Sequence, residues 1–144
     1  MSLYINSPAY FTRQHGIDEE VYKLCSAISK AIDISQYTEC LDTVGITPII
    51  APKHLIDAGV WKEERRVSTA SRMASISLCI DYEAYLNGNS GQRSAIILEH
   101  ILYSLQVVKK RLKDQLEYER LARDIILISE NHIKCSGKEI YEYL

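Results

Sequence analysis

The sequence predicts an α+β fold in which a small, mainly antiparallel sheet packs against an N-terminal helix and a long C-terminal helical region. Three observations predict this fold. Apolar residues follow a helical spacing after residue 18, alternate with a period of two in the middle of the chain, and return to a helical spacing after Gly91. A length of 144 residues suits one domain with one core.

A short strand and a helix open the chain. The apolar residues Leu3 to Ile5 are followed by Pro8, which lacks the N–H that a strand needs, so the strand ends there. Asp18 is the expected N-cap of the helix, and Glu19 complements the helix dipole. The apolar positions at three- and four-residue steps are Val21, Leu24, Cys25, Ile28 and Ile32.

The middle of the chain predicts two further strands and a short helix. Tyr37 to Ile50 is rich in β-branched residues and predicts a strand that ends near Pro48, with Gly45 marking a bulge or a close backbone approach. Residues 52–59 begin with a proline and end with a glycine, and this arrangement predicts a short helix. Val60 to Val67 is a polar strand around Trp61.

The clearest strand pattern lies between Met73 and Tyr82. One face is apolar, and Ser75, Ser77 and Asp81 occupy the other, which is typical of an antiparallel sheet with one packed and one wet face. The apolar face consists of Ala74, Ile76, Leu78, Ile80 and Tyr82.

Two apolar stripes follow the turn at residues 87–91, with a break near Asp114 or Gln115. They predict two helices, or one bent helix, packed over the sheet. Residues 134–138 are expected to loosen the chain. The predicted domain is therefore residues 1–133, with residues 134–144 as a tail whose order the pattern leaves open.

Charge and cysteine usage point to a cytoplasmic protein without a nucleic-acid or membrane partner. Seventeen basic residues against nineteen acidic ones give a net charge of −2, too balanced for a strong field of either sign. No apolar run approaches the ~20 residues of a membrane span, and the first residues lack a secretory signal. The four cysteines form no C-x-x-C pair and are expected as free thiols.

No motif predicts catalysis, a cofactor or a metal. A nucleophile elbow is missing, Gly88 to Gly91 lacks the ending of a phosphate-binding loop, and the four histidines lack metal-ligand spacing. The carboxylate pairs Asp81/Glu83 and Glu117/Glu119 are typical of a solvated face. Ten tyrosines against one phenylalanine suit either an interface or the edge of the core. Because no catalytic motif is present, binding is predicted in preference to catalysis.

Four segments together resemble the immunity protein 44 family of bacterial polymorphic toxin systems, over about residues 3 to 130. They are Gly16 to Tyr22, Asp42 to Pro52, Gly59 to Glu63 and Ile80 to Glu83. The resemblance implies a protein that binds and neutralises a cognate toxin domain, and so protects the producing cell and its siblings. It implies no catalysis and no cofactor.

If the toxin is a nuclease with a basic cleft, acidic groups near aromatic anchors are expected at the contact. The candidate acids are Asp18, Glu19, Glu39, Asp42, Asp81 and Glu83, and the candidate anchors are Tyr37, Trp61 and Tyr85. A regulatory or nucleic-acid-binding domain that uses Lys109 to Lys113 is the alternative, followed by a hydrolase built from dispersed carboxylates. A homodimer formed through the long helices is also open.

Overall fold

The computed structural model describes residues 3–6, 9–10, 19–59 and 62–142, with side chains as far as residue 132. The strands are β1 (Leu3–Ile5), β2 (Ala9–Tyr10), β3 (Thr43–Ala51), β4 (Glu64–Ser68) and β5 (Met73–Asp81). The helices are α1 (Glu19–Ala31), α2 (Lys53–Asp57), α3 (Tyr82–Leu86), α4 (Ser90–Arg111) and α5 (Tyr118–Glu142), with a 3₁₀ turn at Ile34–Gln36. The predicted α+β class is confirmed.

The sheet is mixed, which corrects the expectation of a mainly antiparallel sheet. Its order is β1-β3-β5-β4, and β2 also pairs with β3. β3 runs parallel to β1, β2 and β5, whereas β4 and β5 are antiparallel. Helix α1 lies between β2 and β3 in the chain, and such a crossover returns the chain in the same direction. An alternation of period two reports burial of one face and does not distinguish these pairings.

β3 differs from its prediction at both ends. It begins at Thr43 rather than Tyr37, because the chain first forms the 3₁₀ turn, and it continues through Pro48 to Ala51. The Ile46 carbonyl accepts from the Asn6 N–H, so even-numbered residues of β3 direct their backbone groups toward β1 and β2. The backbone nitrogen of Pro48, which carries no hydrogen, therefore faces the side of β1 and β2, between those two short strands. Its lack of an N–H does not interrupt the hydrogen bonds between β3 and β5.

The remaining strand predictions hold with small corrections. Gly45 marks no bulge, because β3 and β5 pair without interruption, and an added Cβ would meet only the Ala74 carbonyl oxygen at 3.9 Å. β4 begins at Glu64 rather than Val60; Val60 and Trp61 lie outside the described residues. Tyr82 begins α3 instead of completing β5, because the Asp81 side chain caps that helix.

The helical predictions for residues 19–31 and 90–132 are confirmed, and the helices bury their apolar stripes on one face of the sheet. Ile28 of α1, Ile101 of α4 and Ile125 of α5 share one core with Ile46 and Ile76 of the sheet. Burial of this kind stabilises by about 25 cal/mol per Å² of apolar surface. On the opposite face, the small residues of β3 and β5 are partly exposed: Thr43, Gly45, Thr47, Ser75 and Ser77.

The predicted break between the last two helices is confirmed, and the predicted loosening at residues 134–138 is wrong. α4 ends at Arg111, Lys113 and Asp114 have φ values of 52° and 65°, and α5 begins at Tyr118. α5 then continues to Glu142. A single glycine inside a helix costs only about 1 kcal/mol relative to alanine, which is too little to end a long helix.

Candidate functional site

The segment between α1 and β3 forms one side of a surface pocket. Its 3₁₀ turn is capped by Asp33, whose carboxylate accepts from the Ser35 N–H at 3.1 Å. Ile34 and Leu41 are fully buried and fix the two ends of the segment to the core. Between these anchors the side chains of Gln36 and Glu39 are exposed.

The turn between α4 and α5 forms the other side. Leu112 and Leu116 are buried, so the residues between and after them face outward. The exposed Gln115 and Glu117 meet residues 35–40 across a pocket of about 490 Å³, which we call the loop pocket. It is lined by residues 35–40, Gln115 and Glu117, and none of these residues is basic.

Two side chains of α5, Arg120 and Asp124, connect the two sides. The Tyr37 hydroxyl donates to Asp124 Oδ2 at 2.5 Å, and the Arg120 guanidinium lies 4.4 Å from the centroid of the Tyr37 ring. Arg120 also donates to the Gln36 carbonyl and pairs with Glu117 at 2.6 Å. Burial, followed by the hydrogen bond to Asp124, raises the pKa of Tyr37 to about 12, so its hydroxyl remains a donor at physiological pH.

The acids around the pocket differ in whether they already form an ion pair within the protein. Asp42 forms a two-pronged pair with Arg72, at 2.9 Å and 3.0 Å, and the hydrogen bond from Arg72 lowers the pKa of that carboxyl. A lowered pKa is the opposite of what a general acid needs. Glu39 is exposed and forms no ion pair with a described residue, so its charge is available to a partner.

Two predicted acids lie at the other end of the sheet. Asp81 ends β5 and accepts from the Glu83 N–H at 3.2 Å. β3 and β5 are parallel and aligned over nine residues, so Asp81 is roughly 26 Å from the start of the sheet near Asp42, at 3.3 Å per residue. The structure therefore brings Tyr37, Glu39 and Asp42 together and leaves Asp81 and Glu83 apart from them.

The other predicted contacts have different outcomes. Tyr85 is 1% exposed and belongs to the core, so the expectation of a surface anchor there is wrong. Tyr37 is also buried, at 8% exposed, and contacts α5 rather than projecting from the surface. Glu19 is exposed at the start of α1. Asp18 and Trp61 lie outside the described residues.

Sequence reasoning missed four residues of this region: Gln115, Glu117, Arg120 and Asp124. They occupy the polar face of a helix and its preceding turn, where exposed polar residues are the ordinary pattern. The available signal was the predicted break near Asp114, because a chain reversal at that point brings the following residues beside another segment of the fold.

The basic cluster of the alternative hypothesis ends α4. Lys109, Lys110 and Arg111 form the last turn of that helix, where positive charge complements the helix dipole. The Lys109 amine lies 5.8 Å from the centroid of the Tyr118 ring and 3.9 Å from Asp114 Oδ1. These contacts give Lys109 a structural role at the turn into α5.

The described residues contain no group of three or more His, Cys, Asp and Glu side chains that could hold a metal ion. No helix in the described part of the chain is long and apolar enough to cross a membrane. The loop pocket offers carboxylates, amides and three hydroxyls, which suit hydrogen-bond donors and cations. Fold and pocket together define a small α+β domain with a polar pocket on its surface.

Comparison with known proteins places the chain more narrowly. The model of the family described as immunity protein 44 matches residues 1–130, and the chain belongs to that family. No curated protein and no solved structure shows significant similarity to the chain. The match ends twelve residues before the last helical residue, since α5 continues to Glu142.

Proposed function

We propose that this protein binds a cognate toxin domain and neutralises it, and that protection requires no chemical turnover. The observation that carries the proposal is the family match over residues 1–130. The polar loop pocket supports it by offering a surface suited to a protein partner. An inhibitor of this kind acts by occupying the active site or the substrate path of the toxin, so it acts one-to-one.

The proposed contact is centred on the loop pocket and receives a basic surface of the toxin. Glu39 lies on one side of the pocket and forms no ion pair with a described residue, whereas Glu117 on the other side is paired with Arg120; no lysine or arginine is among the described lining residues. An arginine or lysine of the toxin that enters the pocket would form a charge-assisted hydrogen bond with Glu39, and such bonds are about twice as strong as neutral ones. Exposed acids around such a contact mainly increase the association rate.

The first experiment tests neutralisation itself. The chain is co-expressed with the toxin domain encoded beside it, and growth rescue and co-purification are measured together. Titration of purified protein into a toxin assay should reach full inhibition at one equivalent. Absence of both binding and rescue would reject the function, and protection far below one equivalent would reject inhibition by simple binding.

The second experiment locates the contact by reversing one charge at each end of the sheet. Glu39→Lys is expected to slow association at least tenfold, with a smaller effect at high salt because the lost attraction is screened. Glu83→Lys is the matched control, because Glu83 is also an exposed glutamate but lies at the opposite end of the sheet. The reverse result would place the contact at the α3 end.

A further inference from the structure

The shape of the loop pocket depends on contacts from a distant part of the chain. After the 3₁₀ turn, residues 37–42 form neither helix nor strand. Within the segment itself, the Tyr37 N–H donates to the Ile34 carbonyl and the Cys40 N–H donates to the Thr38 hydroxyl. Such local bonds do not fix where the exposed Glu39 stands relative to the other side of the pocket.

The start of α5 and the residue before it supply the missing constraints, from eighty or more positions away in sequence. The Glu117 N–H donates to the Tyr37 carbonyl at 2.9 Å, and Asp124 accepts from the Tyr37 hydroxyl at 2.5 Å. Arg120 covers the Tyr37 ring and donates to the Gln36 carbonyl. The backbone, the ring and the hydroxyl of one buried tyrosine are thus each held by a different residue: Glu117 before α5, and Arg120 and Asp124 within it.

We propose that Arg120 and Asp124 are positioning residues, which hold Tyr37 and thereby keep the loop pocket in its toxin-binding shape before the toxin arrives. The inference rests on the proposed function and on the contact at the loop pocket. In this proposal Tyr37 stabilises the pocket from within the protein, and it does not insert into the partner as predicted from the sequence. Ordering this segment in advance removes an entropic cost of association.

The expected size of the effect follows from the fraction of molecules that are ready to bind. Apparent Kd equals the intrinsic Kd divided by that fraction. If loss of the Tyr37–Asp124 hydrogen bond leaves about one molecule in ten with the pocket formed, the apparent Kd rises about tenfold. The same opening exposes backbone amides of residues 36–40 to exchange with solvent.

The test uses Tyr37→Phe, which removes only the hydroxyl, together with Asp124→Ala and Arg120→Ala in the full chain. Each variant is expected to weaken binding of the toxin domain about tenfold and to accelerate amide exchange at residues 36–40, at a temperature where circular dichroism shows the wild-type fold. Controls are Tyr103→Phe and Arg123→Ala, which alter an exposed tyrosine and an exposed arginine outside the pocket. Both controls should bind as the wild type does.

A double-mutant cycle distinguishes positioning from general destabilisation. Tyr37→Phe and Asp124→Ala break the same hydrogen bond, so the double variant should bind no more weakly than the weaker single variant. Folded variants whose Kd stays within twofold of the wild-type value would overturn the positioning role, as would fully multiplicative losses. If the wild-type chain itself fails to bind, the proposed function is rejected instead.

Discussion

His100 is expected to make the stability of this domain depend on pH. It lies on α4 with 8% of its surface exposed, and its Nε2 atom has no hydrogen-bond partner in the described structure. Burial lowers its pKa from 6.5 to about 4, while the negative charge of Glu63 opposes part of that shift. The folded chain therefore binds this proton less readily than the unfolded chain.

The sign and size of the effect follow from proton linkage. The contribution of neutral His100 to the free energy of unfolding is fully present above pH 6.5. It is lost as the pH falls from 6.5 toward about 4. Between pH 7.5 and pH 5 the loss amounts to about 2 kcal/mol, taking 1.36 kcal/mol per pKa unit. That loss is a substantial share of the free energy of unfolding of an ordinary domain, which is roughly 5–15 kcal/mol.

The assay is urea unfolding at pH 7.5 and pH 5.0, for the wild type and for His100→Leu. Unfolding is monitored by far-ultraviolet circular dichroism. Leucine carries no titratable group, so the variant should lose about 2 kcal/mol less than the wild type between the two pH values. The exposed His54→Gln serves as a control and should retain the wild-type loss. Equal losses in the wild type and His100→Leu would refute the reasoning.

Three further predictions concern the core and the tail. Burial raises the pKa of the Cys25 thiol to about 12, so at pH 8 iodoacetamide should label Cys25 only after unfolding, whereas peptide mapping should find the partly exposed Cys40 labelled in the native protein. Ile76→Ala at the centre of the sheet should cost about 2–5 kcal/mol in urea unfolding, and a loss below 1 kcal/mol would contradict its place in the core. Deletion of residues 134–144 should change the unfolding free energy by less than about 1 kcal/mol, because the described core ends at Ser129; a larger change would extend the domain to the end of the chain.

The elements that sequence predicted best are those with one buried face. α1 and β5 show clear periods because one side meets the core and the other meets water. The second half of β3 is buried on both faces, so its pattern gave no end point, and Pro48 suggested one that is wrong. The alternation within each strand did not predict its direction, since parallel and antiparallel strands with one buried face alternate alike; the available signal was the helix predicted between the first strand and β3, because such a crossover favours parallel pairing.

The candidate site was predicted in part, and the missing part depends on tertiary geometry. Tyr37 and Glu39 were identified as candidate contact residues, although the segment that contains them was expected to be a strand. Gln115 and Glu117 were not, because their placement depends on the left-handed backbone at Lys113 and Asp114. Lysine does not favour that conformation, and one aspartate is too common in other conformations to predict it. Tyr85 was misjudged because tyrosine is common both at interfaces and in cores, and composition does not separate the two.

Parallel pairing of β3 and β5 also decides how the candidate acids can act. Asp42 precedes the first residue of β3 and Asp81 is the last residue of β5, so the shared direction of the two strands puts them at opposite ends of the sheet. Each already has a local role, Asp42 with Arg72 and Asp81 as the cap of α3. A contact centred on one end of the sheet must therefore draw on the exposed glutamate there, Glu39 or Glu83, and charge reversal at these two positions separates the two surfaces more sharply than reversal of all the acids together.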